Sequence, residues 1–370
     1  MERKWSSVRT MHYSAGTYDL SLPTAMFDFD STLRPFRGRG PSELLSLTFL
    51  TGLAESFNIV IISNRSSRKP DAMSSIHNYV HELDHRLGDT STTVYAPTAR
   101  DRERKPHTGT WEHFVETLCA GVRPKFAFYC GDAAGRPGDH SGCDYMYALN
   151  VGIDFITPEA LFFGASDPWV DPVSLGCSSG VLSTATPEDI AAVDIAWNAL
   201  GSLPPKAVVF MCGSPGSGKS RIALRLADSG CTVISRDVLG TRYRYEDAYL
   251  AALKKRETDK NPRPIILDST NPQETNRYCP HFEGAIYFVC HVSTPKEMCF
   301  HLNAARCQLT GRAEVPPVGI HKWWKCFEPP TVGEQCHTTP PAHISEVITM
   351  PFVMANDAPP EVVSFCYPQR

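Results

Sequence analysis

Three things are missing from this chain, and each absence narrows what it does. The chain has thirteen cysteines but no Cys-x-x-Cys pair, and several, Cys130 and Cys212 among them, sit inside apolar runs. That pattern argues against a disulfide frame or a thiolate zinc site and for reduced, buried thiols of an intracellular protein. No stretch approaches the roughly eighteen uninterrupted apolar residues of a membrane span, so a soluble chain with no membrane partner is expected. Nor is there an excess of positive charge. With 36 Lys and Arg against 40 Asp and Glu, the net charge of −4 excludes a wholly electrostatic, histone-like binder of nucleic acid and leaves local basic grooves open. What is present is 42% hydrophobic residues over 370 positions, enough for two domains of ordinary size.

The later half is organised around Ala207 to Ser220, AVVFMCGSPGSGKS, an apolar run that empties into a glycine-rich loop. Gly213, Gly218, Lys219 and Ser220 fit G-x-x-x-x-G-K-S, and Ile222, Ala223 and Leu226 continue in helical spacing, which supplies the strand, loop and helix that a phosphate-binding loop needs. The loop Gly213, Ser214, Pro215, Gly216, Ser217 and Gly218 would then surround the phosphates of ATP with its backbone N–H groups, Pro215 shaping the turn without donating. Lys219 would reach the β and γ phosphates and the Ser220 hydroxyl would hold Mg²⁺. A plain Gly/Ser turn is the competing reading. Downstream, Asp237 follows Val233-Ile234, Arg236 precedes it, and Asp268 ends Ile265-Ile266-Leu267; each Asp could instead cap a helix or close a turn.

The earlier half opens on TAMFDFDSTL (Thr24 to Leu33). Side chains alternate along a strand, so Asp28 and Asp30 face one side while Phe29 turns into the core. Two close carboxylates need a cation or a shared proton, which suits Mg²⁺-dependent phosphoryl transfer in which one attacks phosphorus and the other trades a proton. A second apolar run, FNIVIISN, ends in Ser63 and Asn64, both able to donate to a phosphoryl oxygen; Lys105 brings fixed charge; FAFYCGD ends in Asp132, a candidate Mg²⁺ ligand, with Asp139 and Asp144 nearby. Polar groups at the carboxyl ends of apolar strands are where an open parallel α/β sheet binds its ligands. The fold class expected is therefore α/β, two domains, each a mostly parallel sheet with flanking helices.

The set Asp28-x-Asp30-x-Thr32, Ser63, Lys105 and Gly131-Asp132 resembles the four motifs of the haloacid dehalogenase superfamily. More narrowly, RKPHTGTW (Arg104 to Trp111), GDAAGRP (Gly131 to Pro137) and DYMYALNVGIDFITPEALF (Asp144 to Phe162), then the phosphate loop, SRDVLG, ILDSTNP and KCFEPPT in that order, are similar to the polynucleotide kinase 3′-phosphatase family. The resemblance implies a dehalogenase-type 3′-phosphatase over 22–165 and a P-loop 5′-kinase over 206–370; between them lies a linker over 166–205, with a short helical pattern from Pro187 to Leu200 that starts after Thr186, and a polar tail over 1–21 precedes both. It implies Asp28 as nucleophile, Asp30 as acid and base, Ser63 and Lys105 beside them, and metal held by Asp28, Asp30, Asp132 and Ser220. On the kinase side it implies Asp237 as base and Arg306 as the lid arginine, Ala304 standing where an arginine is expected. Asn64, Arg136, Arg236, Asp268 and Arg277 are expected against substrate.

Ser31 stands where the family has Gly, and Ser63 where Thr is usual. The resemblance implies DNA ends bearing 3′-phosphate and 5′-hydroxyl as substrate, with RNA ends or a non-catalytic nucleotide-binding scaffold as rivals, and a nuclear location, a mitochondrial leader in 1–21 being the alternative. The forkhead-associated domain of animal relatives has no room before Asp28, so recruitment by phosphorylated scaffolds is not expected. Two features keep a bland reading: at least one of Trp323 and Trp324 as core rather than base-stacking, and Lys254 to Arg263 as a solvated loop.

Overall fold

A computed structural model describes residues 10–15, 17–66, 71–88, 92–166, 185–277, 284–336, 342–354 and 358–367. The chain divides into two compact units.

The first unit is built on β1 (Thr10–Ala15), β2 (Thr24–Phe27), β3 (Asn58–Ile62), β4 (Thr92–Pro97), β5 (Ala127–Cys130) and β6 (Asp154–Ile156). Their order across the sheet is β1-β4-β3-β2-β5-β6, parallel throughout except for β1, which runs antiparallel along the β4 edge from Thr10↔Pro97 to Ala15↔Thr92. Part of the expected tail is thus an edge strand; residues 1–9 and 16 lie outside the described residues. The helices are α1 (Glu43–Leu53), α2 (Asp71–Leu87), α3 (Gly109–Thr117), α4 (Cys143–Val151) and α5 (Pro158–Phe163). Ser42 caps α1 by accepting from the Leu45 N–H, and Thr157 caps α5, with Pro158 in the first turn where its missing N–H is harmless.

Strand alternation sorts the core into two faces. Ala25, Phe27, Ile59 and Ile61 join Leu47 and Leu50 of α1 and Ile76, Tyr79 and Leu83 of α2. Met26, Val60, Ile62 and Tyr129 join Trp111 and Phe114 of α3 and Tyr147 and Val151 of α4 on the other. Because both faces are covered, β3 is apolar at four of its five positions, the pattern of a parallel strand rather than of a half-solvated one.

The second unit contains α6 (Pro187–Gly201), β7 (Ala207–Cys212), α7 (Lys219–Asp228), β8 (Thr232–Ser235), α8 (Arg236–Leu239), α9 (Arg242–Thr258), β9 (Ile265–Asp268), β10 (Ile286–Val292), the first part of α10 (Lys296–Thr310) as far as Asn303, α11 (Pro317–Cys326), β11 (Gln335–Cys336) and β12 (Ala342–Met350). The sheet order is β11-β12-β10-β7-β9-β8, parallel apart from the short β11–β12 pair. Val208, Phe210 and Cys212 point to one face and Ala207, Val209 and Met211 to the other.

The units do not follow the boundaries read from sequence. Helix α6, inside the expected linker, is fixed by a Thr186–Asp189 capping box and buries Ala196 and Leu200 in the second unit's core. In the opposite sense, residues Ala304–Glu314 and Pro359–Arg370, the latter including α12 (Pro360–Ser364), group with the first unit. Among the described residues no helix is long and apolar enough to cross a membrane.

Candidate active sites

In the first unit the functional side chains gather just past the carboxyl ends of β2, β3 and β5, lining a cleft of about 870 Å³. At its floor is Lys105. Its Nζ donates to Asp28 Oδ1 at 2.6 Å, Asp144 Oδ1 at 2.7 Å, the Ile62 carbonyl at 2.8 Å and the Tyr129 hydroxyl at 2.5 Å. Burial disfavours the ammonium, but Asp144 and Asp28 outweigh it and the net shift of the Lys105 pKa is upward. Asp28, Asp132 and Asp144 each place a carboxylate oxygen within 4.8 Å of the others. Burial pushes Asp28 up to about 7, against the pull of Lys105. Burial and the neighbouring Asp144 and Asp28 push Asp132 up to about 8. Once all three carboxylates are ionised they outnumber the one ammonium, and an all-oxygen donor set of this kind suits a hard divalent cation.

Asp144 is the member that sequence reasoning undervalued, having been noted only as a neighbour of Asp132. It is 1% exposed in the first turn of α4, where its Oδ2 accepts from the Ala133 N–H at 3.0 Å. Gly131 is what admits it: a Cβ there would meet Asp144 side-chain atoms at 2.6 Å. Glycine at this position is a matter of room, and its N–H remains available to the Ile156 carbonyl.

Asp30 and Asp28 both line the cleft, with Phe29 fully buried between them as alternation requires. Asp30 is not among the three clustered carboxylates. Its oxygens are taken by Arg34 Nε at 2.8 Å and Arg65 Nη1 at 2.7 Å, where a place among the metal ligands was expected. Arg65, unmarked in the sequence reading, is 4% exposed and lies 4.9 Å over the Phe29 ring. Ser31 adopts φ 60°, the left-handed region, with its hydroxyl donating to the Phe36 carbonyl; that backbone is why Gly is the commoner choice in the resembling motif and Ser a tolerated one.

Ser63 is buried beside the site, its N–H on the Tyr95 carbonyl. Asn64 is turned to protein: its side-chain amide accepts from the Lys105 N–H and donates to the Lys105 carbonyl, both at 3.0 Å. It therefore positions Lys105, where direct substrate contact was expected. Arg136 likewise bonds Asp139, Glu159 and the Asp132 carbonyl, which ties down the loop carrying Asp132. Arg37, Arg39, Arg100 and Arg104 also line the cleft, together with Asp101 and Glu314, so basic side chains stand beside the carboxylates there.

In the second unit, β7 delivers the chain into 213–218 and α7 begins at Lys219. Gly216 has φ +83°, and a Cβ there would lie 2.2 Å from the Cys299 carbonyl oxygen, so no other residue fits. Lys219 is 7% exposed, and its Nζ donates to the Ser214 carbonyl at 2.8 Å; burial lowers its pKa. The Ser220 hydroxyl donates to Asp268 Oδ2 at 2.9 Å, and Ser235 donates to the same oxygen at 3.1 Å. Asp268, expected against substrate, is thus buried at the end of β9 as the partner of Ser220, and the two are placed to share a cation.

Arg236 and Asp237 begin α8 and are exposed. Arg277 is corrected by the structure: it is 1% exposed, forms a bidentate pair with Glu334, and donates from Nη1 to the Asn271 carbonyl at 3.1 Å. All three of its nitrogens serve the protein. Arg306 lies in the stretch grouped with the first unit and donates to the Ala313 carbonyl at 3.4 Å. Trp323 is core: it is 5% exposed, stacks on Phe327 at 4.6 Å and donates to the Thr270 carbonyl.

Comparison with known proteins agrees with this division. The sequence profile of polynucleotide kinase 3 phosphatase matches residues 44–162, and that of an AAA domain matches residues 208–330. The chain is similar to the bifunctional polynucleotide phosphatase/kinase of Schizosaccharomyces pombe, 29% identical over 288 residues that cover 76% of this chain and 67% of the relative. It is also similar to the polynucleotide 3′-phosphatase of Saccharomyces cerevisiae, 35% identical over 77 residues covering 18% of this chain and 32% of that protein.

Proposed function

We propose that this chain, which joins a polynucleotide kinase 3 phosphatase domain to an AAA-type nucleotide-binding domain, heals broken DNA ends by removing 3′-phosphates and phosphorylating 5′-hydroxyls. The observation that carries the reading is the Lys105 ammonium held between Asp28 and Asp144 at the carboxyl end of a parallel sheet, the arrangement of a dehalogenase-type phosphatase. The relatives' names agree on polynucleotide ends; DNA rather than RNA is our choice, and it places the enzyme with nuclear or mitochondrial DNA.

In the phosphatase, an Asp28 carboxylate oxygen attacks the phosphorus of the 3′-phosphate and the bond from phosphorus to the 3′-oxygen breaks. The departing alkoxide is a poor leaving group, so it takes a proton from Asp30, which Arg34 and Arg65 keep oriented along the cleft. Asp30 then removes a proton from water as that water attacks the aspartyl-phosphate, releasing inorganic phosphate and regenerating Asp28. Lys105 balances the charge of the carboxylates throughout. Mg²⁺, which Asp28, Asp132 and Asp144 would hold, supplies positive charge to the phosphoryl oxygens when bound.

In the kinase, the backbone of 213–218 and Lys219 bind the phosphates of ATP, and Ser220 with Asp268 would hold its Mg²⁺. Asp237 takes the proton of the 5′-hydroxyl as that oxygen attacks the γ-phosphorus, the bond from the γ-phosphorus to the β–γ bridging oxygen breaks, and ADP leaves. If Asp237 is this base, Asp237→Asn folds normally and slows single-turnover 5′-phosphorylation at saturating ATP by about a hundredfold or more. A near wild-type rate would move the base elsewhere. The whole reading is tested on nicked duplexes bearing 3′-phosphate and 5′-hydroxyl, in DNA and RNA versions. Faster processing of the DNA is expected, and processing of RNA ends alone would overturn the DNA assignment.

A further inference from the structure

Lys105 does not hold its own position. Its loop, 104–108, has no regular secondary structure, yet the ammonium must sit within hydrogen-bond reach of two carboxylates. Asn64 fixes the backbone of Lys105 from one side. The other side is fixed by residues remote in sequence. The Asn150 amide donates to the Pro106 carbonyl at 3.0 Å, and the same amide is paired reciprocally with Cys366, donating to its carbonyl at 2.9 Å and accepting from its N–H at 2.7 Å. The Phe365 ring, 4% exposed, stacks on His107 with centroids 5.2 Å apart and planes 23° apart. His107 Nε2 bonds Glu314 Oε1 at 2.5 Å, and the other oxygen of Glu314 accepts from the Tyr367 hydroxyl at 2.8 Å. His107 is 2% exposed, and Glu314 and Tyr367 line the catalytic cleft.

We propose that residues 359–367, by way of Phe365, Cys366 and Tyr367, are a positioning element of the phosphatase site that sets the Lys105 loop through Pro106 and His107. The proposal rests on the phosphatase reading above. A loop without secondary structure is free to drift by an ångström unless it is braced, and displacement on that scale costs about a hundredfold when it affects a catalytic group. Three braces of different chemistry converge on two consecutive residues, Pro106 and His107: an amide bridge, an aromatic stack and a carboxylate relay. Residues that lie some 250 positions after Lys105 in the chain therefore complete a site whose motifs end near residue 144. Phe365 and Cys366 do not line the cleft, and their effect passes through the Lys105 loop.

The test is a double-mutant cycle on the full chain, reading 3′-phosphate release from a DNA oligonucleotide without ATP. Phe365→Ala is expected to lower kcat by about tenfold to a hundredfold with little change in KM, and Phe365→Leu to recover most of the loss by refilling the space over His107. In a Lys105→Ala background, Phe365→Ala should change the residual rate by less than about twofold, because the group it positions is already gone. ATP-dependent 5′-phosphorylation by Phe365→Ala, measured on the same preparation, should match wild type. Equal proportional losses from Phe365→Ala with and without Lys105 would mean a general loss of folded enzyme and overturn the proposal, as would a Phe365→Ala enzyme with wild-type kcat. A wild-type protein with no 3′-phosphatase would instead overturn the phosphatase reading itself.

Discussion

At the scale of single residues the phosphatase site is a balance of charge, and the balance makes predictions. Arg65 holds Asp30 through one nitrogen while buried over Phe29. Replacing it with methionine keeps most of the volume and removes the guanidinium. Arg65→Met should slow 3′-phosphate release by about tenfold or more by freeing the acid to rotate, while 5′-phosphorylation stays unchanged; an unaffected phosphatase would show that Arg34 alone orients Asp30. The carboxylates carry a second prediction. Asp28 and Asp132 keep their protons up to about 7 and about 8 in the folded chain, against 3.8 ordinarily. Raised acids bind more protons folded than unfolded, so their contribution to stability is complete below the ordinary value and lost as pH rises through 7 and 8. A cation that binds the ionised carboxylates reverses this loss. Without nucleotide, Mg²⁺ should therefore raise the melting temperature more at about pH 8.5 than at about pH 6. Equal gains at both would mean that the three carboxylates are not the binding site.

At the scale of elements, both glycine-dependent turns are steric. Gly216→Ala places a methyl group 2.2 Å from the Cys299 carbonyl at a left-handed backbone, so it should destabilise the second unit by a few kcal/mol and abolish 5′-phosphorylation while 3′-phosphate release continues. Calorimetry with both assays checks it, and a fully active kinase would contradict the loop packing. The strand, loop and helix around this turn were legible in sequence because the spacing of Gly213, Gly218, Lys219 and Ser220 admits few other backbones, and because β3 and β7 are apolar almost throughout. The carboxylates at strand ends were legible for the same reason. Less legible was what each polar group touches. Asn64, Arg136 and Arg277 looked like substrate contacts because they are polar and near motifs, yet each is satisfied by protein, Arg277 by a Glu334 that is 57 positions away. Asp144 could have been found from Gly131: a glycine just before a strand-end Asp signals close approach, and the next acid in a helix N-terminus is the candidate.

At the scale of the whole molecule, two parallel sheets each carry their own phosphoryl-transfer chemistry. The domain limits were least visible in sequence, since β1 lies in a polar segment, α6 shows its helical pattern but not the core it joins, and the residues bracing His107 lie beyond the kinase motifs. Local composition cannot show such long-range docking, because Phe365 and Tyr367 carry no periodic pattern of their own. One chain therefore holds two separate catalytic centres. The most direct measurement follows both ends of a nicked DNA duplex bearing 3′-phosphate and 5′-hydroxyl with wild type, Asp28→Asn and Lys219→Ala in parallel. Asp28→Asn is expected to lose 3′-phosphate release and still phosphorylate the 5′ end, and Lys219→Ala to do the reverse, releasing phosphate at a near wild-type rate without ATP. Loss of both activities in either folded variant would contradict two separate centres.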